Sequence, residues 1–203
     1  FAGHYVPAVA MRIVEERKLS RDVAELAGIG IGNGLVDPVR QFASKPLMAY
    51  TGGEGGSLGE GVVDASVYRD MLEALPTCLT EIRRCQRDVT NTLACVEAYQ
   101  TCVLHEIAPT ASCGRNPYDL RKPCDKANPI HCFDFVKETA FLTDPSIMAL
   151  LGVPPWVKWS LCNMMVNVGF VLSGDFLTAT DDLVIRLLSL GKPVLLYSGD
   201  TDA

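Results

Sequence analysis

No stretch of this 203-residue sequence approaches the run of about 18 apolar residues that a bilayer-spanning helix needs. Positive charge is in the minority. Lys and Arg total 18 against 24 Asp and Glu, and the net charge of −6 excludes the basic face with which a nucleic-acid binder displaces counterions. Histidine is scarce: His4, His105 and His131 are scattered without metal spacing, so each reads as a core or surface residue and no metal is expected. "GIGIGNG" admits no G-x-G-x-x-G register, because Asn33 or Leu35 falls where the third Gly belongs. "GGEGGSLGEG" lacks the Gly-Lys-Ser/Thr ending of a phosphate loop, and no cofactor is expected. There is no N-x-[ST] sequon, no internal repeat and no heptad run. The opening "FAGHYVPAVA" has neither an initiator Met nor the charged and apolar regions of a leader.

What is present is ordinary globular composition, 48% apolar and 21% charged, in a chain long enough for one domain or most of a larger one. Eight Cys point to an oxidising compartment. Residues 5–18 carry apolar positions at helical spacing, with Pro7 tolerable near the start. Ile29 to Gly32 fits a short buried strand that stops at the turn formers Asn33 and Gly34. "TGGEGGSLGEGVV" reads as a flexible loop, residues 64–106 as two helices broken near Asp88 to Asn91, and residues 108–132 as irregular. "FDFVKETAF", "DPSIMALLGV" and "TATDDLVIRLLSLG" read as helices, and "KPVLLYSGDTDA" as a buried strand followed by an acidic turn. This order predicts an α/β sheet with a long helical excursion.

The cysteines organise that excursion. Cys78 and Cys85, like Cys95 and Cys102, are seven apart and so lie on nearly the same helix face two turns apart. Pairing Cys78 with Cys102 and Cys85 with Cys95 centres both pairs on Thr90, as facing residues of an antiparallel helix pair must be. A helical hairpin stapled twice is therefore expected. Zinc is the rival, but the short C-x2–4-C spacing of its usual sites is missing. Cys124 and Cys132 could close a small loop; Cys113 and Cys162 are left to pair together, stay free or bond outside this chain.

At the other end, the strand "VLLYSG" delivers Asp200 and Asp202 to a turn at its carboxyl end, where open α/β sheets place their ligands. A carboxylate there can orient a His and stabilise its imidazolium form. The plainer alternative is an Asp pair that only bonds local N–H groups.

"FAGHYVP" followed by a helix resembles what comes after the nucleophile in the G-x-S-x-G elbow of α/β-hydrolases, with Gly3 as the closing Gly. The string is more similar still to the elbow of the serine carboxypeptidases, G-E-S-[YF]-[AG]-G-[HKR]-Y-[VI]-P. "IGNGLVDP", "GRNPYDLRKPC", "SGDFL" and "VLLYSGDTDA" resemble further motifs of that family, in order, from Phe1 to Ala203, most like the yeast vacuolar enzyme and its fungal relatives.

The resemblance implies a partial α/β-hydrolase fold with a disulfide-stapled helical cap insertion: residues 1–50 as core, 51–135 as cap and 136–203 as core. It implies a Ser-His-Asp triad with Asp202 as the acid and Asp200 bracing the turn, and the Phe1 backbone N–H as an oxyanion-hole donor. Phe1, Leu35, Phe42 and Phe176 match positions of the pocket before the scissile bond, and Tyr118 the pocket for the C-terminal residue, each with core packing as its rival. Nested cap bridges and a short-loop Cys124–Cys132 bridge agree with the family, Cys162 matches a Cys that pairs with an N-terminal part, and Cys113 has no counterpart. The implied activity is release of C-terminal residues from peptides or proteins through an acyl-enzyme, without metal or cofactor, in a vacuole, a lysosome-like compartment or outside the cell. The nucleophilic Ser is expected directly before Phe1 and the His beyond Ala203, so the chain as given is expected to be an internal fragment, inactive alone. An acyltransferase on the same fold and a non-catalytic secreted binding module are the rivals.

Overall fold

The structure, a computed structural model, describes residues 2–19, 22–52, 61–127 and 132–202. Phe1, His131 and most of the expected glycine-rich loop lie outside the described residues. The first helix, α1 (Ala2–Lys18), leads to a short strand, β1 (Ile29–Gly32), within which no side chain larger than Ile has to be placed. β1 runs parallel to the last strand, β4 (Val194–Tyr197), in a register from Ile29 opposite Val194 to Gly32 opposite Tyr197. Backbone bonds extend the pair at both ends, from Ile29 N to Pro193 O and from Asn33 N to Tyr197 O. A side chain at position 32 would run into the Tyr197 ring, so Gly32 lets that ring lie across the strand pair.

Between these strands the chain is mostly helical. α2 (Pro38–Thr51) starts where Asp37 accepts the Arg40 N–H and Pro38 supplies a preset φ, and stops at Gly52 in the left-handed region. α3 (Ala65–Arg87) is capped by Asp64, and α4 (Thr92–Cys102) by Asn91, whose side chain accepts from Ala94 N. The break at 88–91 agrees with the sequence reading. α4 runs on into a π-helical turn, Val103–Ile107, and a short α5 (Ala108–Ala111). The stretch read as irregular contains a small antiparallel hairpin, β2 (Arg115–Asn116) and β3 (Asp119–Pro123). Its strands are too short and polar for a period-of-two signal to emerge.

α6 (Val136–Leu142), α7 (Pro145–Leu150) and α9 (Asp181–Ser189) fall where expected. α2 and α8 (Met164–Leu172) do not: α2 carries two prolines, and α8 is apolar but for the single Asn167, so neither shows the amphipathic pattern that betrays a helix. Asn163 nevertheless caps α8, accepting from Met165 N and Val166 N.

Two apolar clusters result. α1 and α9 pack together beside the strand pair through Ala10, Met11 and Leu187. The larger cluster joins α2, α3 and α4 through Phe42, Cys78, Ile82, Cys85, Cys95, Ala98, Cys102 and Leu177. Disulfides Cys78–Cys102 and Cys85–Cys95 cross the helical hairpin as nested rungs, and Cys124–Cys132 closes the loop after β3. Cys113 and Cys162 are free thiols. Among the described residues the architecture is helix-rich, with an α/β core of two parallel strands.

Candidate active site

The carboxyl ends of β1 and β4, the head of α1 and the β2–β3 hairpin meet at one place. Asn33 follows β1 with a left-handed backbone (φ 48°), which Asn tolerates better than most residues. That turn aims its side-chain amide across to the end of β4, where Asn33 Nδ2 donates to Asp202 Oδ2. Asp202 sits in the turn closed by its own N–H on Gly199 O. It is half-buried, whereas Asp200 is exposed.

The head of α1 is pressed against the residues immediately after Asn33. A Cβ on Gly3 would lie 2.2 Å from Leu35 O, and one on Gly34 would lie 2.9 Å from the Gly3 backbone. Both contacts are backbone on backbone and cannot be relieved by a rotamer change, so both positions require glycine. Thr180 locks the arrangement, its hydroxyl donating to Gly3 O at 2.7 Å and its N–H to Val36 O at 2.8 Å. His4 Nδ1 lies 3.3 Å from Asp175 Oδ2, which ties α1 to the 3-10 turn Asp175–Leu177.

The hairpin approaches from the other side. Leu120 N donates to Thr201 O at 2.9 Å, and Thr201 Oγ1 donates to Asp119 Oδ1 at 3.3 Å. Hydrogen bonds from the Arg121 guanidinium, with support from Lys122, hold the Asp119 carboxyl well below the usual carboxylate range. The half-buried Lys45 adds a cation near the acid: burial lowers its pKa, while the Asp202 carboxylate acts in the opposite direction.

The site residues expected from sequence are distributed unevenly. Leu35 touches the head of α1, and Phe176 follows Asp175 and packs edge-on against Tyr99 with ring centroids 5.1 Å apart. Tyr118, 56% exposed, stands at the hairpin turn beside the Asp202 segment, its ring tilted against Phe133. Phe42 is set back, 2% exposed inside the disulfide-lined cluster. The Phe1 roles, oxyanion donor and pocket wall, lie outside the described residues. Asn33, Asp119 and Thr201 were not singled out for the site. Asn33 reads as a turn former, and only strand pairing over 169 positions of sequence turns it into the partner of Asp202.

Two shallow grooves of about 280 Å³ lie elsewhere, along the Val9–Ile13 side of α1 and near Lys192; neither is lined by Asp202, Leu35, Tyr118 or Phe176. Among the described residues no group of three His, Cys, Asp or Glu side chains could hold a metal ion, and no helix is long and apolar enough to cross a membrane.

The family profile described as serine carboxypeptidase matches residues 1–203. Carboxypeptidase Y homolog A of Paracoccidioides lutzii is 39% identical over all of this chain and 35% of its own length, and carboxypeptidase Y of Komagataella phaffii is 32% identical over 37% of its length. The chain thus spans about a third of these relatives. The crystal structure of Kex1(Δ)p, a prohormone-processing carboxypeptidase from Saccharomyces cerevisiae, superposes with a TM-score of 0.73 at 22% identity, covering all of this chain and 43% of that one, which shows the shared fold. With a profile match from the first residue to the last, and the elbow-like helix, strand pair and acid turn assembled in one place, this chain belongs to the serine carboxypeptidase family.

Proposed function

We propose that the full-length protein carrying this chain is a serine-type carboxypeptidase, releasing single residues from peptide C-termini through an acyl-enzyme, and that Asp202 is the acid of its Ser-His-Asp triad. The observation that carries this reading is the placement of the half-buried Asp202 carboxylate. It sits at the carboxyl end of a parallel strand pair, hydrogen-bonded by Asn33 one residue from the Gly34–Gly3 contact at the head of α1. In that position a carboxylate holds a neighbouring imidazole in the tautomer that accepts the nucleophile's proton, and offsets the positive charge that follows. The exposed Asp200 is better suited to bracing the turn.

The Ser and His are assigned to parts of the full-length protein outside residues 1–203, so the 203-residue chain alone is expected not to be labelled by a serine-directed phosphonate. Residues 1–50 and 136–203 are assigned to the hydrolase core and 51–135 to the cap. Leu35, Phe176 and Phe1, with Phe42 behind them, are assigned to the pocket before the scissile bond, and Tyr118 to the pocket for the departing residue. Three disulfides support an oxidising compartment, vacuolar, lysosome-like or extracellular. The buried Glu106, whose pKa burial raises to about 7, is accommodated most easily where the medium is acidic.

Hydrolysis of a blocked dipeptide by the full-length protein and its Asp202→Asn and Asp200→Asn variants tests the assignment. Near-complete loss in the first and retention in the second are expected. Full activity in Asp202→Asn would remove Asp202 from the triad, and consumption of a glucose ester in place of the dipeptide would favour acyl transfer.

A further inference from the structure

The β2–β3 hairpin makes contact with the turn that carries Asp202, and it does so through residues that nothing assigns to the site. Thr201, the neighbour of Asp202, is 5% exposed and bonded at two atoms: its carbonyl accepts the Leu120 N–H and its hydroxyl donates to Asp119. Asp119 is 8% exposed and is itself gripped by four donors besides Thr201. Arg121 Nε donates to Oδ1 at 2.7 Å, Arg121 Nη2 to Oδ2 at 3.1 Å and Arg121 N to Oδ1 at 3.3 Å, with Lys122 Nζ 3.3 Å from Oδ2. A carboxylate fixed by both a guanidinium fork and an ammonium has little freedom to move, so whatever it accepts is fixed with it.

The same hairpin turn carries Tyr118. Its N–H donates to the side chain of Asn116 at 2.9 Å, and the buried Asn116 reaches back to Cys132 O at 3.4 Å, at the disulfide that closes the following loop. One continuous path therefore runs from the Cys124–Cys132 loop through Asn116 and the Tyr118 turn to Asp119, Thr201, Asp202 and Asn33.

We propose that Asp119 is a positioning residue for the reaction, acting through Thr201 to hold the Asp202 turn in register with the hairpin that presents Tyr118. Asp119 touches neither substrate nor the reacting atoms in this reading. Its ionised form clamps the acid's neighbour, so that the triad acid and the Tyr118 turn sit as one body. The inference rests on the carboxypeptidase reading above for its functional consequence, but not for the clamp itself.

The experiment uses the full-length protein with Thr201→Val, which keeps the β-branched shape and deletes the hydroxyl, Thr201→Ser, which restores it, and Asp119→Asn, which keeps the shape and deletes the charge. Hydrogen exchange of the segments 117–122 and 199–202 is measured with 78–102 as an internal reference, alongside kcat and KM on a blocked dipeptide. Thr201→Val and Asp119→Asn are expected to speed exchange in both segments about tenfold, leave 78–102 unchanged, and lower kcat about tenfold with KM within about twofold, since one charge-assisted bond is lost. Thr201→Ser returns both readouts to the wild-type range. Unchanged exchange in 199–202 overturns the clamp, and faster exchange with unchanged kcat overturns its role in positioning. A wild-type protein that is itself inactive on the dipeptide overturns the carboxypeptidase reading instead, and leaves the exchange result to decide the clamp.

Discussion

The helical hairpin of α3 and α4 and the acid turn after β4 are held by opposite means. The hairpin is local: its four cysteines lie within 25 residues of sequence, are bridged in two nested pairs and are all but inaccessible, with Ile82, Ala98 and Phe42 packed among them. The acid turn is non-local. Its partners are Asn33, 169 positions away, and Asp119, 82 positions from Thr201, and each contact is a hydrogen bond. Strand β4 before it leaves Leu195, Leu196 and Tyr197 largely exposed among the described residues. Covalent links between near neighbours restrict the unfolded chain and make a rigid wall, whereas single hydrogen bonds between distant segments give directional placement at modest stability. Under the proposed function, the hairpin as a cap requires rigidity and Asp202 as the triad acid requires aim.

Four measurements sharpen or break that contrast. Asp202→Asn in the full-length protein is expected to lower kcat on the order of 10⁴-fold, the loss that a wrong imidazole tautomer causes in a Ser-His-Asp triad, with little change in the urea midpoint. A large stability loss here would make the acid turn structural like the helical hairpin. The double variant Cys78→Ala/Cys102→Ala is expected to lower unfolding free energy by about 3 kcal/mol in urea denaturation, with hydrogen exchange at 199–202 unchanged. Exchange rising there as much as at 78–102 would mean that the two regions are one.

The helical excursion also holds a pH-dependent element. Glu106, 0% exposed in the π-helical turn after Cys102, has neither carboxyl oxygen hydrogen-bonded among the described residues, and burial pushes its pKa up from 4.5 to about 7. Above the ordinary carboxyl pKa the folded state binds the extra proton, so this contribution is fully favourable below about pH 4.5 and is lost as pH rises to about 7, for a total of about 3 kcal/mol. Urea midpoints measured across that range should fall in the wild type and stay flatter in Glu106→Gln. Parallel curves would show that Glu106 is compensated. The smallest effect on stability is expected from Asn33→Gly. Glycine accepts the φ of 48° without strain and deletes only the donor to Asp202, so unfolding free energy should change by less than about 1 kcal/mol while kcat falls severalfold. Unaltered kcat would show that the acid is aimed by the hairpin side alone.

The nested disulfides were legible in the order of residues because seven-residue spacing on two helices leaves one antiparallel solution, and the structure forms the same bridges. β1 and β4 were legible as short apolar runs ended by turn formers, but the burial expected of β4 is not found. Its apolar run signals a strand whether or not it is covered, and Leu195, Leu196 and Tyr197 are exposed among the described residues. α2 escaped because its prolines at 38 and 46 read as breakers, although Pro38 occupies the first turn where no N–H is needed. α8 escaped because a segment whose only polar side chain is Asn167 has no polar face to set against an apolar one. The π-helical turn, which buries Glu106, has no sequence signature at all. Of the candidate site, Asp202 and Tyr118 stand out through their motifs, while Asn33, Asp119 and Thr201 do not.

Family, disulfide framework and the acid-bearing turn follow from linear order, because helix periodicity, cysteine spacing and motif strings are properties of neighbouring residues. The choice of Asn33 as partner of Asp202, the grip of Asp119 on Thr201 and the burial of Glu106 belong to the folded chain. The first two arise where parallel strand pairing and hairpin docking bring together groups dozens to more than a hundred positions apart, the third where the π-helical turn packs against α2 and α3, and no local pattern encodes such meetings.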